Sequence, residues 1–355
     1  MVTAPWGGES MVAEVSTRTG LDRVPEQAPR RITPIKWFAG AGVSFVALQV
    51  YVLTRWIASG QATPTPTGPD PVPGWVQATA TTLDIVAPVL ALITIWYFLV
   101  KPWRREGHLT LDGMLVITWL SMYFLQDGWL NYTQAWFLYN SAHVNFGSWY
   151  AQVPGWTSPN GNLLPEPILF WGGTWMCVGF TATAMVCAVM RRFKTSRSRT
   201  GTFGMIMVAL ACMIVIDLVF ELPLLRAHLY SYAGGIRSVS IFAGHSYQFP
   251  IYCNVLWAFV WTGMTCVRYF KDDRGRTIVE RGVERLRVGG WRKHVITLFA
   301  VLGFGHLLIF TVYNLPMQWF ATHADEFPSD TPSYLLNGMC EKGVSCPGPH
   351  RSIPR

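Results

Sequence analysis

Charge is what this sequence has least of. Only 14% of its 355 residues are Asp, Glu, Lys or Arg, against about 25% in a typical soluble chain. Between Arg105 and Arg191 there is no Lys or Arg at all. Such a chain cannot cover a soluble surface, so a soluble globular enzyme is excluded, although the length would suit two or three soluble domains. Cysteine is sparse at seven residues, which excludes a small disulfide scaffold. HExxH and His-with-CxxC metal patterns are missing, and no nucleotide or redox motif is present, so neither metal nor cofactor is expected. The first thirty residues lack the apolar core of a cleaved signal peptide. No internal repeat is visible, which removes support for a transporter built from inverted halves.

What is present is apolar and aromatic: 51% apolar residues, 14% aromatics and 17 Trp. This composition excludes disorder. The apolar residues fall into seven blocks, about Trp37–Ile57, Leu83–Val100, Leu111–Leu125, Ile168–Met190, Phe203–Leu222, Phe249–Tyr269 and Val295–Phe320. Blocks of about twenty residues can cross a ~30 Å hydrocarbon layer as helix. The expected fold is therefore all-α: a polytopic bundle of about seven transmembrane helices. The net charge of +8 does not point to nucleic acid, because no basic stripe is interleaved with aromatics. Lys and Arg instead concentrate in the N-terminal tail and in the loops after blocks two, four and six. That alternation places the protein in the cytoplasmic membrane, N-terminus inside and C-terminus outside. The lipid bilayer is thus an expected partner and nucleic acid is not. The expected organisation is a disordered cytoplasmic tail at 1–33, a transmembrane domain at 34–322 and an external tail at 323–355. Oligomeric state cannot be read.

Two external segments stand out. Residues 61–75 are Pro-rich and read as a stiff link. Residues 129–167 are long, nearly uncharged and dense in Trp, Tyr and Asn. Their length and aromatic content predict a cap over the outer mouth of the bundle; an eighth, half-buried segment within 129–165 is left open. Aromatic faces there, at Trp129, Tyr132, Trp136, Tyr139, Trp149 and Trp156, suit an apolar cavity and a cationic intermediate, or simple interface anchoring. Cys340 and Cys346 fall in the external tail, where a disulfide can persist. The other five cysteines read as small core residues.

An ionisable group at membrane depth marks a functional site by default. Asp217 and Glu221 lie four apart in the fifth block and share one helix face. Asp84, Asp127 and Glu166 fall at a similar outer depth, with His143 and His245 from external segments within reach as assistants. Asn254, Asn314 and Gln318 add polar groups in the last two blocks. A buried, neutral carboxylic acid can act as a general acid. The competing reading is that these acids cap helices or pair with Arg226 and Arg55; for Asp112, at the start of the third block, helix capping is preferred. His306 reads as a satisfied core histidine. An opsin is excluded, since the seventh block holds no Lys beyond Lys293 at its edge.

The run KPWRREGHLTLDGM followed by QDGWLNYTQAWFLYNSAHVNFGSWYAQVPGWTSPNGNLLPEP resembles the AveC-like spirocyclase family of actinomycetes. The resemblance is most specific over residues 101–167. It implies a spiroketal cyclase with dehydratase chemistry, acting without a cofactor on an apolar hydroxyketone polyketide or lipid-like substrate. It also implies site-forming positions at Asp127, Asn131, Tyr132, Tyr139, Asn140, Ser141, Asn145, Trp149, Pro154, Asn160, Gly161 and Glu166. The residues themselves leave two other readings: a membrane terpene or lipid cyclase, and a transporter or lipid-binding protein using the carboxylates as proton relays.

Overall fold

The computed structural model describes residues 33–158 and 161–339. The N-terminal tail, Asn160 and the Cys340–Cys346 pair lie outside the described residues. Each apolar block is helical. We label the helices α1 (Pro34–Ala58), α2 (Gly74–Glu106), α3 (Leu111–Met122), α4 (Ile168–Ser196), α5 (Thr202–Arg226), α6 (Ile251–Tyr269) and α7 (Gly290–Thr322). Five of them, α1, α2, α4, α5 and α7, are long and apolar enough to cross a membrane. The expected third span is shorter. Helix α3 has 12 residues, about 18 Å at ~1.5 Å per residue, well under the ~30 Å of a bilayer core. Helix α6 has 19 residues, but Tyr, Asn, Thr and Trp side chains dilute its apolarity.

Three of the helices contain one π-helical turn each: Trp96–Val100 in α2, Ile168–Gly172 at the start of α4 and Phe310–Asn314 in α7. Proline accounts for two of their places. Pro102 and Pro316 each follow a π turn by two residues, and Pro167 directly precedes the third. For Pro102 and Pro316, the proline lacks the N–H that the preceding turn's carbonyl needs, and widening that turn relieves the clash; Pro167 comes before its turn and has no such effect on it. Elsewhere the ends follow ordinary rules. Thr110 caps α3 by accepting from the Gly113 N–H at 3.2 Å, and Gly107, at φ 70°, closes α2.

Beyond α3 the chain runs through short 3-10 turns, Tyr123–Leu125, Asp127–Asn131 and Trp149–Gln152. Two antiparallel two-residue strand pairs anchor this segment: Leu138–Tyr139 with Tyr230–Ser231, and Phe146–Gly147 with Pro165–Glu166. The first ties it to the loop after α5. Its aromatic residues Trp129, Trp136, Tyr139 and Trp149 are buried. The segment after α7 folds back as well: Asp70 and Ser333 exchange hydrogen bonds at 2.7 and 2.8 Å, and Ser141 donates to the Tyr334 carbonyl at 3.1 Å.

Helices α1 and α7 pack most closely, through two glycines. A Cβ on Gly42 would sit 2.0 Å from the Phe299 carbonyl oxygen, and one on Gly303 would sit 1.9 Å from that of Phe38. Small residues let helix backbones approach in this way. Gly303→Leu, or Gly42→Leu, is expected to force the pair apart at a cost of about 1–3 kcal/mol. Thermal unfolding of the detergent-solubilised protein should show a lowered midpoint; an unchanged midpoint in both variants would refute the tight α1–α7 contact.

Candidate functional site

Three acids meet at one buried cavity. Asp127, in the 3-10 turn after α3, and Asp217 and Glu221, on one face of α5, all border it. All three side chains are buried. The rest of the wall is largely tryptophan: Trp171 and Trp175 from α4, Trp257 and Trp261 from α6, with Thr174 and Phe220. Each contributing helix offers a pair four residues apart, which is one turn of one face. The π turn at Ile168–Gly172 carries Trp171, so an irregular turn supplies part of the wall. The cavity measures about 30 Å³, room for one or two waters. Phe220, Trp257 and Val178, on its rim, are partly exposed.

No Lys or Arg forms an ion pair with these acids among the described residues. Neutral donors hold them instead. Tyr313, from the π turn of α7, donates to Asp127 Oδ1 at 2.6 Å. Asn254 Nδ2 donates to Asp217 Oδ2 at 2.8 Å. The Tyr232 hydroxyl donates to Glu221 Oε1 at 3.2 Å. Asp217 Oδ1 and the indole N–H groups of Trp171 and Trp261 have no hydrogen-bond partner among the described residues. Burial pushes the Asp127 carboxyl up to about 6, against the pull of the Tyr313 hydrogen bond.

Glu166 lies close behind. It sits in the strand pair opposite Phe146 and is fully buried. Its Oε1 accepts from Tyr123 and, at 2.9 Å, from Gln126 Nε2; Tyr139 donates to the other end of Gln126. Burial pushes the Glu166 carboxyl up to about 8, with hydrogen bonds from Tyr123, Tyr150 and Gln126 opposing and the charge of Asp127 adding. Gly128 permits this crowding, since a Cβ there would lie 2.0 Å from the Tyr150 ring.

Other expected site residues are elsewhere. Asp84 and His143 form their own buried pair, Nδ1 to Oδ1 at 2.9 Å, and Asp84 Oδ2 accepts from the Val144 N–H at 2.8 Å. They do not border the cavity; His143 stacks on Phe170, which stacks on Trp171. His245 is exposed and faces Asp330 at 3.4 Å. The amide groups of Asn131, Asn140 and Asn145 bind backbone: Asn131 Oδ1, for example, accepts from the N–H groups of Trp136 and Phe137 at 2.8 and 2.9 Å. Ser141 is likewise used by backbone. These residues shape the loop. Trp136 is held by its indole N–H on the Leu130 carbonyl at 2.6 Å, and Trp149 packs against Tyr123 and Phe124. Tyr132, with Trp156 against it, and Asn314 belong to a second, apolar groove of about 530 Å³ that also takes in Phe45, Leu48, Trp129 and Phe310.

The alternative pairing with basic residues is not what the structure holds. Arg226 lies over the rings of Phe242 and Tyr247, and Arg55 donates to Tyr51. Asp112 opens α3 and is also clamped by Arg268 at 2.9 and 2.7 Å. His306 is buried and bonded to Gln49 and to the Leu302 carbonyl. Sequence reading missed Tyr232, Tyr313 and the four wall tryptophans. The Trp171–Trp175 and Trp257–Trp261 spacings carried the same signal as Asp217–Glu221.

Among the described residues no group of three or more His, Cys, Asp or Glu is gathered as a metal would need. Fold and site together define a helical protein with membrane-length helices and an acid-lined, tryptophan-walled chamber. The chain belongs to the spirocyclase AveC-like family, whose model matches residues 103–335. That stretch contains Asp127, Glu166, Asp217 and Glu221, whereas Asp84 precedes it. No curated protein and no solved structure matches the chain.

The raised carboxyls have a thermodynamic consequence. For Glu166 the folded value, about 8, stands above the model-peptide 4.5, so folding takes up a proton between them. Its contribution is fully present below about pH 4.5 and is lost as pH rises through about 8. Asp127 acts the same way between 3.8 and about 6. The unfolding midpoint in detergent should therefore fall from pH 5 to pH 9, and Glu166→Gln should flatten the upper part of that fall. An equally steep decline above pH 7 in the variant would contradict the assignment.

Proposed function

We propose that this protein is an integral membrane cyclase that closes a spiroketal with loss of water. The observation that carries the reading is the convergence of Asp127, Asp217 and Glu221 on one tryptophan-walled cavity. Family membership supports a cyclase-type role. The substrate class is an apolar hydroxyketone, as its hemiketal, arriving from the bilayer past the partly exposed rim.

The hard step is departure of the hemiketal hydroxyl. A proton from the Asp217–Glu221 pair goes to that oxygen, water leaves, and an oxocarbenium ion remains. The faces of Trp171, Trp175, Trp257 and Trp261 attract the cation. Asp127, ionised at neutral pH by its value of about 6, adds electrostatic stabilisation. The second hydroxyl then attacks, and Asp127 accepts its proton. The walls select the face of attack and so the configuration of the spiro centre. Glu166, neutral at pH 7, keeps a second negative charge out of the region behind Asp127. The unpaired Trp171 and Trp261 N–H groups and Asp217 Oδ1 are available to the departing water. Membrane orientation follows the basic loops, with the N-terminus inside.

The test uses a symmetrical long-chain dihydroxyketone, membranes containing the protein, and chiral chromatography, because uncatalysed closure gives a racemate. Enantio-enriched product lighter than substrate by one water is the expected result. Asp217→Asn, Glu221→Gln and Asp127→Asn should each reduce turnover by roughly 10²–10⁴-fold, while His245→Ala retains it. Full activity in all three acid variants would end this assignment. Product of unchanged mass would instead mark an isomerising terpene-type cyclase.

A further inference from the structure

We infer that Cys253, with Tyr232 and Tyr313, forms an internal proton path that returns the proton from Asp127 to Glu221 between turnovers. The inference rests on the cyclase reading above and extends it to three side chains that do not border the cavity.

The geometry is a continuous line of four polar contacts. Tyr313 meets Asp127 at 2.6 Å. The Cys253 sulfur meets the Tyr313 hydroxyl at 3.1 Å, where either atom can donate. The Cys253 thiol donates to the Tyr232 hydroxyl at 3.3 Å, and Tyr232 donates to Glu221 at 3.2 Å. The three intermediate side chains are at most 1% exposed. They come from three places: Tyr232 from the loop after α5, Cys253 from the first turn of α6 and Tyr313 from the π turn of α7. Asp217, the third acid, is held by Asn254 and stands outside the line.

The need for such a path follows from the chemistry. After ring closure with Glu221 as donor, Asp127 carries one proton too many and Glu221 one too few. Bulk water would correct this at once, but the cavity holds one or two waters. Among the described residues no Lys or Arg is paired to either acid to carry the proton out. Along the line, the Asp127 proton passes to the Tyr313 oxygen. The Tyr313 proton passes to the Cys253 sulfur, the thiol proton to the Tyr232 oxygen, and the Tyr232 proton to Glu221. Every intermediate group gains one proton and loses one, so only the two carboxyls change charge. The donor directions at Tyr232 and Cys253 already run towards Glu221. Once Asp127 is protonated it donates to Tyr313, whose hydroxyl proton turns to the Cys253 sulfur and completes the line of donors. A thiol present only to fill space needs neither oxygen contact.

Two measurements on the full-length protein test the path. The first needs no substrate. The infrared S–H stretch of Cys253, assigned by its disappearance in Cys253→Ser, should shift as pH passes through about 6, where Asp127 ionises. The shift should vanish in Asp127→Asn. A band that stays fixed across that range overturns the path. The second uses the dihydroxyketone. Cys253→Ala should keep the first turnover and slow later ones by about tenfold or more, and Cys253→Ser should restore them, since a hydroxyl relays as a thiol does. Tyr313→Phe should also slow later turnovers, and because it releases Asp127 it should lower the first one as well. Steady-state turnover unchanged in both Cys253→Ala and Tyr313→Phe overturns the path. If the wild type turns over no dihydroxyketone while the S–H band still follows Asp127, the cyclase reading fails and the hydrogen-bonded path stands.

Discussion

The structure depends on burying carboxyl groups without giving them cations. Asp127, Glu166, Asp217 and Glu221 are each 6% exposed or less, and each is held by hydroxyl or amide donors. A buried charge normally demands a paired opposite charge. Asp112, a third exposed at the start of α3, is given such a partner: Arg268 grips it with two bonds. At the cavity the pairing is withheld. The consequence is a set of acids whose protons can be exchanged, because no ammonium or guanidinium fixes their charge.

Tyrosine is the side chain that makes this arrangement stable. Its ring contributes to the apolar wall and its hydroxyl reaches an acid, so one residue serves burial and hydrogen bonding at once. Tyr123, Tyr232 and Tyr313 each hold an acid in this way. The helices bring them in by departing from regularity. Tyr313 lies in one π turn and Trp171 in another. π-helical turns recur at functional sites. The turn that carries Tyr313 arises from Pro316 just beyond it, which makes that irregularity a local sequence property.

Much of this was legible along the chain. The apolar blocks marked where every helix would form, and the spacing of four between Asp217 and Glu221 showed that they share a face. The length of α3 was not legible, because the apolar run continues through Tyr123–Leu125 after the α-helical bonds have stopped. Depth alone also misled. Asp84 and Asp127 read as equivalent in one dimension. Folding hands Asp84 to His143 and the Val144 N–H, and leaves Asp127 to the cavity. The family resemblance marks the asparagines of the 129–167 segment as site-forming. Irregular buried backbone must also have its N–H and C=O groups satisfied, and that is where Asn131, Asn140 and Asn145 went. Cys253 and Tyr313 are 60 residues apart, and no local pattern announces a contact made across two helices.

The small size of the cavity is itself informative about mechanism. An unpartnered polar group in the interior costs about 1–3 kcal/mol, and three such atoms, Asp217 Oδ1 and two indole nitrogens, belong to residues around this one cavity. An oxygen in the cavity, a water's or a substrate's, would complete them. The cavity has room for one or two waters and not for the proposed substrate, so on the cyclase reading the walls part to admit one. Trp257, Phe220 and Val178 are the wall residues that already reach the surface of the bundle, and they come from α6, α5 and α4. Side-chain motion on that rim would open the acids to the bilayer while the tyrosine contacts behind them stay in place. On the cyclase reading, the tyrosine-held side of the chamber carries the proton chemistry and the rim side admits the substrate.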